Sequence, residues 1–331
     1  MSTMKVAVVG ATGETGTSIV NGLLASTAPK YDVTALIRPS SLHKLEVRAL
    51  EKKGVKIATT DLSGAEDEIT KQLTGHDFVI SAINANSLLD QIPLANAAKK
   101  AGVKRFVPCF FATVMPSRGM MRFRDQKDDV LNHVQTLYLP YTVIDVGWWY
   151  QVSLPRLPSG KFDAIAPSFI EDWIAGDGTV LSGMTDLRDI GKYVARIIAD
   201  PCTLNQKVFA YTELWSQNDV YDLIEKLSGE KLLRKYLSEK EIEALLEEAG
   251  ANAHEPALIQ YRKSWGLRGD NTPEYARYLG YQIGKDLYPD LTGKSFEGFC
   301  KEALQGKLKP IYESTMKEML AAARGGKTAE K

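Results

Sequence analysis

Over the first 150 positions, short β-branched apolar runs alternate with amphipathic stretches, the pattern of a parallel sheet covered by helices on both faces. Lys5–Val9 predicts a strand and about Thr15–Ala25 a helix; Val33–Ile37 and about Leu42–Lys53 repeat the unit. Val55–Ala58 and Asp77–Ala82 read as the third and fourth strands, the latter with Phe78, Val79 and Ile80 apolar on both faces. A helix over Gln91–Ala101 stops at Gly102, and Arg105–Val107 is a fifth strand ending at Pro108. A long helix, roughly Met120–Leu137, separates it from a sixth strand, Tyr141–Val146. The fold class is therefore α/β, a Rossmann-type doubly wound parallel sheet.

Beyond Gly147 the pattern breaks at Pro155, Pro158, Ser159 and Gly160, and an aromatic, glycine-rich stretch runs to Gly183. We read residues 1–150 as one domain built on this sheet and 151–331 as a smaller, mostly helical second domain. A helix at Asp189–Ala199 and a strand at Lys207–Tyr211 would return to the first sheet, so segments near 186–212 complete it. Helical period recurs near Asp219–Leu227, Glu239–Glu248, Phe296–Leu304 and Tyr312–Ala323, and the polar Gly325–Lys331 end reads as frayed.

Composition narrows the functional classes. Lys plus Arg is 41 and Asp plus Glu is 41, so net charge gives no reason to expect a nucleic-acid partner. No apolar run reaches the ~18 residues of a spanning helix, and Met1-Ser2-Thr3 leads straight into a strand, so we expect no membrane segment and no cleaved leader. Cys109, Cys202 and Cys300 are odd in number and far apart, which suits free thiols in a reducing cytoplasm. His43, His76, His133 and His254 have no zinc-site spacing, and we expect no metal.

Gly10-Ala11-Thr12-Gly13-Glu14-Thr15-Gly16 sits between the first strand and its helix. In that context Gly10 can make the tight turn, Gly13 can let backbone approach a pyrophosphate, and Gly16 can let helix and strand pack closely. The other reading is a glycine-rich turn without a ligand. The second strand ends in Arg38 with no acid at its tip, which favours a 2′-phosphate and hence NADP(H) over NAD(H). Lys44 would add a second charge there, or is a solvated lysine. Asp61 would lie near the adenine edge, or is an exposed turn acid. Ala82, Pro108, Cys109 and Phe110, after the fourth and fifth strands, complete the candidate cofactor contacts.

In the helix Met120–Leu137 the inward stripe reads Met120, Phe123, Lys127, Val130, Leu131, Val134 and Leu137, which puts Lys127 in a core slot. Asp125, Asp128 and Asp129 fall on other faces, as solvent charges would. A lysine so placed either snorkels to water or serves a site, where loss of water would lower its pKa into acid/base range. The Tyr-x-x-x-Lys pair of many short-chain dehydrogenases is missing, because Phe123 stands four residues before Lys127. Tyr281 and Lys285, which have that spacing elsewhere in the chain, read as coincidence in the second domain. Trp148, Trp149 and Tyr150 follow the sixth strand and would wall an aromatic substrate at the sheet's carboxyl edge, or form a hydrophobic domain seam.

Gly-Ala-Thr-Gly-x-x-Gly at 10–16, Ala101-Gly102-Val103-Lys104-Arg105-Phe106-Val107-Pro108, Asp189-Ile190-Gly191, Asp200-Pro201 and Thr203-Leu204-Asn205 resemble motifs of the isoflavone, pinoresinol-lariciresinol and phenylcoumaran benzylic ether reductases and their fungal NmrA-like relatives. The resemblance runs over nearly the whole chain and is nearer to the fungal branch around Asp145–Gln151 and Leu154–Gly160. It implies an NADPH-binding Rossmann domain, a smaller substrate domain, a lone lysine matched by Lys127 as general acid/base, Arg38 at the 2′-phosphate and Pro108 beside the nicotinamide. The chain departs at Pro108-Cys109-Phe110-Phe111-Ala112, where the plant enzymes have Pro-Ser-Glu-Phe-Gly, and at Leu131, where they carry a base.

Three functions follow as expectations. The first is an NADPH-dependent reductase of a small aromatic, phenolic or polyketide-like secondary metabolite, with a homodimer as the candidate assembly. The second is an NADP(H)-sensing regulator without turnover. The third is a non-redox isomerase or cyclase on the same fold.

Overall fold

The computed structural model describes residues 3–167, 172–250 and 255–312. The predicted helix Tyr312–Ala323 and the Gly325–Lys331 end lie outside these residues, except for Tyr312 itself.

The chain opens with β1 (Met4–Val9), α1 (Glu14–Ala25), β2 (Tyr31–Ile37), α2 (Leu45–Lys52), β3 (Lys56–Thr59), α3 (Glu66–Leu73), β4 (Phe78–Ser81), α4 (Gln91–Lys100) and β5 (Arg105–Val107). The strands form one sheet in the order β3-β2-β1-β4-β5, parallel throughout. Val6, Ala7, Val8, Val79 and Ile80 are fully buried, as expected where helices cover both faces. The hydrophobic pattern gave no sign of α3. Half of its eight residues are charged, and only Ile69 and Leu73 are buried, too few to show a period.

α5 (Arg122–Thr136) leads into β6 (Thr142–Asp145), which adjoins β5 through a parallel bridge between Phe106 and Tyr141. The next elements are β7 (Trp148–Trp149), β8 (Ile174–Ala175), β9 (Ser182–Thr185), α6 (Ile190–Ile197) and β10 (Gln206–Phe209). β10 pairs in parallel with β6 and so extends the first sheet. After it come β11 (Glu213–Trp215), α7 (Gln217–Ser228), β12 (Tyr236–Leu237), α8 (Glu239–Ala249), α9 (Glu255–Arg262), α10 (Pro273–Tyr278), β13 (Tyr281–Ile283), α11 (Gly284–Leu287) and α12 (Phe296–Leu304). β13 pairs in parallel with β10, so Tyr281 belongs to the first sheet and not, as its position in the chain suggested, to the second domain.

The small sheets β11-β9-β7 and β12-β8, with α7, α8, α9 and α12, form a second lobe. Its core gathers Trp148, Tyr150, Phe162, Tyr221, Trp265, Phe296 and Phe299. α1 packs closely on α6, because a Cβ on Gly22 would lie 2.1 Å from the Gly191 carbonyl carbon. Among the described residues no helix is long and apolar enough to cross a membrane.

Candidate active site

The glycine loop is built by close backbone approach. Gly10 has φ +77°, a conformation that costs L residues strain, and a Cβ there would sit 2.3 Å from the carbonyl oxygen of Ala82. A Cβ on Gly16 would meet the Gly10 carbonyl oxygen at 2.0 Å, so α1 can lie against the loop only without one. Gly13 is exposed and caps α1 with no side chain of its own; its N–H donates to the Gly10 carbonyl at 3.0 Å. The first N–H groups of α1 therefore have no acceptor within the helix and face out beside an open glycine, a ready anion site. Ala11 is buried, while Thr12 and Thr15 are half-buried around the turn.

Glu14 is the one acid in that first turn, and a free carboxylate there would oppose an anion. Its Oε1 instead accepts the backbone N–H of Tyr312 at 2.8 Å. Arg38 is exposed just past β2, which pairs with β1, and Lys44 is half-buried at the N-terminus of α2. Asp61 is close enough to Arg38 to feel its charge. Hydrogen bonds from Ser63 do most to hold its carboxyl below the usual range. An open cradle and an exposed guanidinium at neighbouring strand tips fit a dinucleotide carrying a 2′-phosphate.

From the cradle, a line of contacts runs along the carboxyl edge of the sheet. Ala82 abuts Gly10; the next carbonyl, that of Ile83, accepts the Cys109 thiol at 3.2 Å; and the Cys109 N–H donates to Oε1 of fully buried Gln91 at 2.7 Å. Pro108, Cys109 and Phe110 are all buried, and Phe111 holds φ +36° as the loop turns. Lys127 rises from α5 into this loop and donates from Nζ to the Phe110 carbonyl at 2.5 Å.

Lys127 is 8 % exposed, so it does not snorkel to water. Burial pushes its ammonium below the usual lysine range, against the opposing pull of Cys109 and Asp145. Burial likewise pushes the Cys109 thiol up, with the Lys127 charge working the other way.

The stripe on α5 differs from the expected one in two ways. Met120, Phe123, Leu131 and Leu137 are only partly buried, Met120 lying ahead of α5, and Arg124 occupies a core slot beside Lys127. Asp128 is no solvent charge: its side chain is 10 % exposed, its Oδ1 lies 3.4 Å from Arg124 Nε, and burial raises its pKa.

Arg124 anchors a buried triad that the hydrophobic pattern did not show. Its guanidinium donates to Asp145 Oδ2 at 3.0 Å and to the Tyr281 hydroxyl at 2.7 Å, and that hydroxyl donates to Asp145 Oδ2 at 2.6 Å. Asp145 was read only as part of the sixth strand and of the stretch Asp145–Gln151, with no role of its own. Tyr281 was legible only as half of the Tyr-x-x-x-Lys pair; Lys285 instead lies over the Tyr211 ring, so the two do not act together.

Trp148, Trp149 and Tyr150 do not share one cavity, because neighbours on a strand point to opposite faces. Trp148 turns into the second lobe against Tyr261 and Trp265. With Trp173, Trp215 and Trp265 it walls a cavity of about 40 Å³, space for a water or two, which Lys127 does not line. Trp149 turns the other way and donates from Nε1 to the Phe111 carbonyl at 3.3 Å. Tyr150 is fully buried against Phe296 and Phe299, which corrects its placing as a substrate wall: it is a core ring. Burial raises the pKa of Tyr261 and of Tyr312, two residues that sequence reasoning passed over.

The profile of the NmrA-like family matches residues 2–262. The chain is 48% identical over 315 residues, 92% of its own length and 96% of the relative's, to a protein of Aspergillus novofumigatus named asnovolin J 5′,6′-dehydrogenase. It is 27% identical to a probable pinoresinol-lariciresinol reductase of Arabidopsis thaliana, over 87% of this chain and 93% of that one. Among solved structures, the binary complex of leucoanthocyanidin reductase with NADPH from Vitis vinifera superposes with a TM-score of 0.78 at 23% identity, covering 91% of this chain and 99% of that chain. That likeness shows the same fold.

Proposed function

The chain belongs to the NmrA-like family, and from that premise we propose that it is an NADP(H)-dependent oxidoreductase of a small secondary metabolite, with Lys127 as general acid/base. The observation that carries the reading is the burial of Lys127 against the Phe110 carbonyl, one contact beyond the loop that abuts the cradle. An ammonium there has lost its water and, among the described residues, gained a single hydrogen-bond acceptor, an arrangement costly for stability alone.

Bound NADP(H) would supply a hydride acceptor or donor. The first turn of α1 would hold the pyrophosphate, Arg38 would pair with the 2′-phosphate, and Ala82 and Pro108–Phe110 would line the nicotinamide end. In the oxidising direction a hydride and a proton leave bonded atoms of the substrate, and neutral Lys127 takes the proton. In the reducing direction its ammonium returns one. Burial lowers the Lys127 pKa and so brings the neutral amine closer to working pH than an ordinary lysine would. Asp145, held in place by Arg124 and Tyr281, opposes the fall of the Lys127 pKa that burial causes.

The A. novofumigatus relative supports a substrate of the asnovolin J kind, and the plant relative supports the wider class of aromatic and phenolic metabolites. The test is to mix the purified protein with asnovolin J and either NADP⁺ or NAD⁺ and to follow reduced nucleotide by absorbance. Turnover with NADP⁺ and little with NAD⁺ is the expected result. Tight binding of NADP⁺ and NADPH with no turnover would instead make the protein a sensor of the nucleotide.

A further inference from the structure

Beyond α12 the chain crosses back from the second lobe to the first. Ile311 is buried in the core beneath β1 and β2, and Tyr312 packs on the same cluster. Tyr312 holds φ +56°, a conformation L residues keep only when their surroundings fix it. Its surroundings include a hydrogen bond and a ring contact: its N–H donates to Glu14 Oε1 in the first turn of α1 at 2.8 Å, and its ring stacks on Trp149 with centroids 6.5 Å apart and planes 29° apart. Trp149 in turn is hydrogen-bonded to the Phe111 carbonyl, and Phe111 is itself at φ +36°.

These contacts close a ring around the proposed cofactor path. Glu14 stands at the pyrophosphate end, Cys109 and Phe111 at the nicotinamide end, and Tyr312 with Trp149 spans the gap between them. We infer that Tyr312, backed by Trp149, is a cofactor-positioning residue: a clasp supplied by the far end of the chain that holds the dinucleotide in the cleft and slows its release. The inference rests on the cofactor assignment made above. It adds a role for two aromatic residues that the acid/base chemistry does not use. It also accounts for Glu14, since the clasp keeps that carboxylate turned toward the Tyr312 N–H at the helix end that would hold phosphate.

The test needs no substrate. NADPH is bound to the full-length protein, and its dissociation rate and Kd are measured from nucleotide fluorescence in stopped-flow displacement by NADP⁺. Tyr312→Gly removes the ring at a φ where glycine is unstrained, so the fold should survive. The expected result is release about tenfold faster and a matching rise in Kd. Tyr312→Phe keeps the ring and should stay within about twofold of wild type, while Trp149→Phe, which loses the bond to Phe111, should fall between. An unchanged release rate in Tyr312→Gly would overturn the clasp. Tighter binding would also overturn it, by showing the ring to be an obstruction. A wild-type protein that binds no NADPH would overturn the cofactor assignment itself, a separate failure.

Discussion

The cradle and the lysine site lie side by side on one sheet edge but are made of different material. Gly10–Gly16 is a run of consecutive residues whose work is done by backbone N–H groups and by missing side chains. The site around Lys127 is made of side chains drawn from Cys109, Arg124, Asp145 and Tyr281, brought together only when β5, α5, β6 and β13 meet. A backbone site is written locally, whereas a side-chain site is written by topology. The two should also fail differently: damage to the cradle should cost binding, and damage to the cluster should cost stability or chemistry.

The largest effect should come from Arg124→Leu. It strands Asp145 in the interior without its partner, and breaking a buried pair in this way costs about 3–5 kcal/mol. Thermal unfolding should show a large drop in Tm. A wild-type Tm would mean that the triad is not a structural unit.

At the cradle, Gly10→Ala forces φ +77° on an alanine and drives its Cβ to 2.3 Å from Ala82, so strain of about 1–3 kcal/mol is a lower bound. NADPH titration should show binding lost. Gly102→Ala shares the positive φ, +70°, but nothing lies within 4 Å of its Cβ, and it should bind NADPH normally at a small cost in stability. Equal behaviour of the two variants would remove the argument from close approach.

Arg38→Ala should weaken NADPH by about 10- to 100-fold, the worth of a charge-assisted bond of ~1.5–3 kcal/mol, and leave NADH affinity unchanged. A parallel loss for both nucleotides would place Arg38 away from the 2′-phosphate.

The smallest effect is a shift in pH dependence. Because burial lowers the Lys127 pKa, the oxidising rate, which needs the neutral amine, should rise with pH and level off below the ordinary lysine value of 10.5. The reducing rate, which needs the ammonium, should fall over the same interval. Asp145→Asn removes a charge that favours the ammonium and should move both profiles to lower pH. Profiles that stay flat up to pH 10 would exclude Lys127 as the titrating group.

This contrast also explains what could be read from the chain. The Gly10–Gly16 loop, the Arg38 tip and the parallel strands were legible because each depends on neighbouring residues and on a period of hydrophobic positions. Lys127 was legible as an anomaly, a charge where α5 should bury carbon. Arg124 was not, because it sits one residue beyond Phe123, and the stripe accommodated the apolar residue and hid the cation. Tyr281 was hidden by distance, since nothing in positions 281–283 says that they pair with β10. Tyr150 misled because a run of three aromatic residues does not reveal which of them the strand turns inward.

The central claim is that binding and chemistry separate at Lys127. Lys127→Met keeps the length of the side chain and its burial while removing the charge and the proton. NADPH Kd and the turnover of asnovolin J should be measured on the same preparation. The expected result is a Kd within about twofold of wild type and turnover lower by about 10²–10⁴-fold. Turnover retained at the wild-type rate with Kd unchanged would contradict it.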